Sequence, residues 1–249
     1  MHRYGSLDIE TRGAGAPVLT DFAVDPWVLK GVHVLDCRTE IAAEAGDALI
    51  PPSLRPAIPS YGALSVSMVP DSPVGPFTIA ELRVGVRIGA VAGLFLVGAV
   101  CNSARACEAL RARWGYRVVS GEVTLEELYH QAAARAVVDG RVVLGLRLTD
   151  RRPLPGTRIN VPSIVNLGRR GADGPLILAN TPVQIAYAQA DGGRFVLEVL
   201  DGAAFGAGDA FRPSFPMGAS IGVADVTLGA IDVTADPTRP AEESLEIVP

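Results

Sequence analysis

The stretch CNSARACEALRARWGYRVVSG, residues 101–121, reads as a short helix, a turn and a strand in succession. Asn102 or Ser103 can cap the helix, because a side-chain oxygen accepts from the orphan N–H groups of the first turn. Cys107, Leu110 and Trp114 recur at helical spacing and form one buried face, while Arg105, Glu108, Arg111 and Arg113 fall mostly on the other. Gly115 can take the left-handed conformation that ends a helix. Tyr116 to Val119 then opens an apolar, β-branched run.

Working outward, the chain has 249 residues and 49% hydrophobic content, enough for a sizeable core in one domain over 1–249. With 27 glycines and 19 prolines between many short apolar runs, the pattern is that of a strand-rich protein with many turns. A net charge of -5 argues against a nucleic-acid partner, which needs clustered cations. Of the 22 lysines and arginines, Lys30 is the single lysine. Cys37, Cys101 and Cys107 lack C-x-x-C spacing and read as reduced thiols of a cytoplasmic protein. His2, His33 and His130 are scattered, so no metal site and no cofactor is expected. The polar start has no apolar signal region, and the most apolar run, 84–100, is too glycine-rich for a spanning helix, so no membrane partner is expected.

Residues 1–25 read as a loosely packed leading segment and 239–249 as a frayed tail. Strands are expected over Trp27–Cys37, Ala63–Val69, Phe77–Ile88, Ala92–Val100, from Arg117, and over Arg141–Leu148. Thr39 to Leu49 reads as a helix capped by Thr39 and stopped by Pro51-Pro52. Leu125 to Val138 reads as partly helical. Val183–Ala190 and Arg194–Leu200 read as two strands around an Asp191-Gly192-Gly193 turn.

Several segments resemble the acetoacetate decarboxylases. That family follows an amphipathic helix with a Gly- or Ala-Tyr pair and then Pro-Lys-Lys-Leu-Gly. Here the frame is Gly115-Tyr116-Arg117-Val118-Val119-Ser120-Gly121. Pro51-Pro52-Ser53-Leu54 resembles the family's Pro-x-Pro-Leu, and Asn160–Leu167 and Pro216–Leu228 resemble later family segments. The motifs occur in order from Trp27 to Val233. The resemblance implies an α+β fold, a β-barrel or curved antiparallel sheets with a few short helices. It also implies a homo-oligomer.

It carries a site as well. The family lysine attacks a ketone through a depressed pKa and forms an iminium that takes up electrons as carbon dioxide leaves. The two family lysines fall on Val118 and Val119, which have no lone pair. The family glutamate after the Gly-aromatic turn falls on Ile79, with Glu81 two residues on to re-supply an acid. A second glutamate falls near Leu64 or Ser65. The substrate arginine falls on Lys30, eight residues before Arg38-Thr39. Arg117 replaces the family proline, and Tyr116 keeps a family aromatic. The candidate catalytic residues are therefore Lys30, Glu81 and Arg117. The expected substrate cavity is apolar, lined by Leu64, Ile79, Tyr116, Val118 and Met217.

Two function classes follow. One is a non-decarboxylating enzyme of secondary metabolism that cyclises, dehydrates or isomerises a bulky apolar, polyketide-like carbonyl compound. Lys30 would then act by titration or by charge. The other is a non-catalytic small-molecule-binding or accessory protein on the same fold.

Overall fold

The structure is a computed structural model describing residues 4–23 and 25–248. The elements run α1 (Ile9–Ala14), β1 (Val18–Leu19), β2 (Trp27–Ile41), α2 (Ala43–Leu49), β3 (Arg55–Pro56) and β4 (Tyr61–Val69). Then come β5 (Phe77–Ile88), β6 (Val91–Cys101), α3 (Ala104–Trp114), β7 (Val118–Ser120), β8 (Glu122–Leu128) and β9 (Gln131–Val138). The chain continues with β10 (Arg141–Pro153), β11 (Ser163–Arg170), β12 (Leu176–Thr181) and β13 (Val183–Leu200). It closes with β14 (Pro213–Leu228), β15 (Val233–Ala235), α4 (Ala241–Ser244) and β16 (Glu246–Ile247).

All strands join one mixed sheet, ordered β16-β15-β12-β11-β6-β5-β4-β2-β14-β13-β10-β9-β8. Off this path, β1 pairs β11, β3 pairs β5 and β7 pairs β6. The expected α+β class with few short helices holds, with two corrections. The sheet is open rather than a barrel, because β8 packs back over β4 and β5 instead of pairing with β16. It is also not wholly antiparallel, since β6 takes parallel partners in β7 and β11.

The sheet divides two cores, and β5 lies between them, buried along its length except at Arg87. Its Ala80, Leu82, Val84 and Val86 enter one core with Leu35, Leu64, Val66 and Phe205. Phe77 and Ile79 enter the other with Val34, Leu110, Trp114 and Tyr116. Alternation along a strand sends successive side chains to opposite faces, so this split is the period-2 pattern read in three dimensions.

The 101–121 stretch folds as read. Ser103 caps α3, and Gly115 takes φ 70° and ψ 29°, its N–H donating to the Arg111 carbonyl while the Tyr116 N–H donates to that of Leu110. Other local expectations give way to pairing. Thr39 stays in β2, buried, its hydroxyl donating to the Phe215 carbonyl at 3.0 Å, and α2 begins at Ala43 without a side-chain cap. Residues 125–138 form the β8–β9 hairpin, because Ala132, Ala134 and Ala136 alternate inward and sheet burial outweighs alanine's helix propensity. Asp191-Gly192-Gly193 is no turn but the middle of the 18-residue β13, paired with both β10 and β14. A Cβ on Gly193 would lie 2.5 Å from the Thr149 carbonyl oxygen, so the glycine serves close strand approach.

Ile9 and Gly13 of α1 are buried, and β16 extends the sheet beyond β15. Of the leading segment and the tail, residues 1–3, 24 and 249 lie outside the described residues. No described helix is long and apolar enough to cross a membrane.

Candidate functional site

A row of residues crosses the centre of the sheet in register. Asp36 of β2 stands opposite Ser65 of β4, Ser65 opposite Glu81 of β5, and Glu81 opposite Ala99 of β6. Ala99 is in turn beside Val118 of β7. A bulge between Leu82 and Arg83 follows directly on the Glu81 register. The extra residue is Val97, so the bulged strand is β6, beside the Glu81 and Arg83 positions of β5.

Asp36, Ser65, Glu81 and Arg83 line one internal cavity together with Ser67, Ile79, Leu110 and Tyr116. Leucine, isoleucine and valine side chains from β2, β11, β13 and β14 complete its wall. Its volume is about 60 Å³. That is room for a few heavy atoms, since ~10–15 Å³ of such space already admits one water. Asp36 also lines an outer groove of about 330 Å³, together with Arg38, Arg158, Asn160, Met217 and Ser220.

The charged groups inside are paired. Arg83 Nη2 donates to Glu81 Oε2, with both side chains almost wholly buried. Glu81 Oε1 and Arg83 Nε have no protein partner. Burial works against the Arg83 guanidinium, but the charge of Glu81, with Tyr116 and Asp36 beyond, outweighs it and raises its pKa. Burial, and then the negative charge of Glu81, pushes the Tyr116 hydroxyl well above its usual value of 10.0. At the outer end, Arg38 Nε donates to Asp36 Oδ1 at 3.3 Å and Arg38 Nη2 to the Asn160 carbonyl. Tyr187, whose hydroxyl has no protein partner, also has a raised pKa, first from burial and then from Asp36.

Of the residues singled out from sequence, Glu81, Ile79 and Tyr116 come together on this cavity. Val118 is buried in the same core at the end of the row, but packs behind the cavity wall. Leu64 points into the opposite core, and its neighbour Ser65 takes the cavity position, a one-residue register difference that flips the face. Arg117 is the middle of a tight turn closed by the Val118 N–H donating to the Tyr116 carbonyl at 3.0 Å, and it lies outside the cavity lining, its Nη1 donating to the Arg12 carbonyl at 3.4 Å. Met217 is 45% exposed on the outer groove.

Lys30 lies outside the cavity. Its side chain is 66% exposed and pairs with Asp225 at 2.7 Å. Leu29 and Val32 take the inward positions on either side, with Gly31 at φ 60° between Lys30 and Val32. The residues that sequence reasoning missed are Asp36, Ser67 and Arg83, whereas Ser65 is the alternative it named beside Leu64. The signal for Arg83 was present: Glu81-Leu82-Arg83 places two opposite charges on one face of an otherwise apolar strand. Among the described residues no group of three or more His, Cys, Asp or Glu could hold a metal ion.

No family model and no curated protein matches the sequence. Solved structures do match. An acetoacetate decarboxylase from Legionella pneumophila superposes with a TM-score of 0.72 at 17% identity, covering 82% of this chain and 85% of that one. A second acetoacetate decarboxylase gives 0.72 at 15% identity, covering 91% of each chain. The enduracididine biosynthesis enzyme MppR gives 0.67 at 13% identity, covering 82% of this chain and 88% of that one. An open curved sheet, a central buried strand and these superpositions lead to one conclusion: the chain has the fold of acetoacetate decarboxylase and of the acetoacetate-decarboxylase-like enzymes.

Proposed function

We propose that this protein is a non-decarboxylating enzyme that enolises a carbonyl compound held in the cavity. The observation that carries this reading is the Glu81 carboxylate, one oxygen free of protein partners, beside Arg83 and Tyr116 in an apolar enclosure. Glu81 Oε1 takes the proton from the carbon next to the carbonyl. The electron pair moves onto the carbonyl oxygen, where the Arg83 charge and the Tyr116 O–H stabilise it. The raised pKa of Tyr116 keeps that hydroxyl protonated, and its hydrogen bond passes from Glu81 to the substrate oxygen as charge develops there. The cavity carries no lysine, so no imine with this chain is required.

Isomerisation, dehydration and cyclisation of carbonyl compounds all proceed from such an enol. The inner volume suits the reacting end, and the rest of a bulkier apolar substrate extends into the outer groove. MppR supports the chemical class: it has been seen complexed with pyruvate, and with the condensation product of pyruvate and imidazole 4-carboxaldehyde. A role in secondary metabolism follows the same comparison.

The test is deuterium exchange in D₂O at the α-carbon of hydroxyacetone, 2-butanone and pyruvate, followed by NMR. The protein should accelerate exchange of at least one, and Glu81→Gln should reduce that rate about 10²-fold or more. Background exchange with all three, or full exchange by Glu81→Gln, would sink the proposal and favour a binding protein.

A further inference from the structure

Two buried hydrogen-bonding atoms of opposite sense are left without a protein partner in side chains that line the cavity. Glu81 Oε1 is an acceptor and Arg83 Nε a donor, and neither finds a protein partner. Both belong to cavity-lining side chains, 3% and 6% exposed, two residues apart on one face of β5. Buried polar atoms of native proteins are nearly always partnered, and an unpaired one costs most where the surroundings are apolar. Here the surroundings are mainly leucine, isoleucine, valine and phenylalanine side chains, with Asp36, Ser65, Ser67 and Tyr116 the other polar groups.

The charges nearby are already matched. Glu81 pairs with Arg83, and Asp36 pairs with Arg38 at the mouth. A carboxylate entering the cavity would meet Glu81 and Asp36 without a spare cation. An ammonium would meet no spare anion. Either ion would lose its hydration in an apolar space, which costs far more than desolvating a neutral polar group.

We infer that the cavity takes an uncharged head group with a carbonyl acceptor beside an O–H or N–H donor, such as an α-hydroxy ketone, a carboxamide or a lactam. Its donor bonds to Glu81 Oε1 and its carbonyl oxygen accepts from Arg83 Nε. This rests on the carbonyl reading above and narrows it. For an α-hydroxy ketone, the carbon bearing the donor is also the carbon whose proton Glu81 would take. The small volume limits the head to a few heavy atoms, with any larger substituent directed past Asp36.

The experiment is ligand-observed NMR titration of the full chain with hydroxyacetone, acetamide, 2-pyrrolidinone, acetone, pyruvate and ethylammonium. At least one of the first three should bind saturably, at least 10-fold more tightly than the last three. Ile79→Trp, which fills the cavity, should abolish that binding, with Ser67→Phe as a second blocking variant should Ile79→Trp not fold. Equal or tighter binding of pyruvate or ethylammonium overturns the inference, as does binding of none of the six. So does preferred binding that survives the folded blocking variants. The two readings fail separately: pyruvate preference with intact α-exchange leaves enolisation standing, whereas selective amide binding without any exchange leaves only the head-group inference.

Discussion

Glu81 and Arg83 are the residues on which the cavity's stability and the proposed chemistry meet. Two ions held in an apolar core give back little net stability, but removing one strands the other. Glu81→Ala and Arg83→Ala should each lower unfolding stability by about 3–5 kcal/mol. The double variant Glu81→Leu/Arg83→Met should be far milder than the sum of the two, because no charge is left unpaired. Urea unfolding of the three variants checks this, and simple additivity would show that the pair is not coupled. Lys30 is the opposite case. Exposed and paired only with Asp225 at the surface, it should be replaceable by alanine with α-exchange and ligand binding unchanged. A large loss of either in Lys30→Ala would put the amine back into the mechanism.

At the scale of elements, α3 brings Leu110 to the cavity, and β6 pairs with β5, the strand that carries Glu81 and Arg83. The Ser103 hydroxyl accepts from the Ala106 N–H at 3.3 Å, so Ser103→Ala should cost about 1 kcal/mol of stability in chemical denaturation. In β6, a Cβ on Gly98 would lie 2.2 Å from the Phe205 carbonyl oxygen. Gly98→Ala must therefore shift either the strand or the 202–205 turn, and a loss of about 1–3 kcal/mol is expected. Gly98 is opposite Leu82, immediately before the bulge, so the same variant should also weaken ligand binding. Unchanged stability in Gly98→Ala would mean that the β6–turn contact yields freely.

At the scale of the whole molecule, the two cores hold groups that resist ionisation at high pH. The pKa values of Tyr116 and Tyr187 are raised above 10.0, and burial, with the charge of Asp36 second, also raises the Cys37 thiol. The folded state thus keeps protons that the unfolded chain releases. This contribution to stability is complete below the unfolded pKa, and it falls toward the folded values as pH rises above about 9 for the thiol and about 10 for the tyrosines. Stability should therefore decline steeply above pH 10. Phenolate absorbance at 295 nm should show part of the tyrosine content ionising only with unfolding. Simple titration of all the tyrosines near pH 10 in the folded protein would contradict this account.

The sequence by itself determined the elements whose signals are local. Ser103 and Gly115 announce the two ends of α3 because capping and left-handed backbone are properties of single residues. Phe77–Ile88 announces a strand because a long apolar run suits a ribbon covered on both faces. The ordered motifs from Trp27 to Val233 were enough to point to the fold. Tertiary structure alone decided which face each strand residue serves. Leu64 and Ser65 differ by one position, yet one lies in a core and the other on the cavity, because register depends on partners far away in the chain. It also decided that Lys30 stays in solvent and that Asp36, Ser65, Glu81 and Arg83 converge. Their juxtaposition comes from pairing among β2, β4 and β5, whose charged residues lie up to 47 positions apart, and no local pattern encodes a separation of that kind.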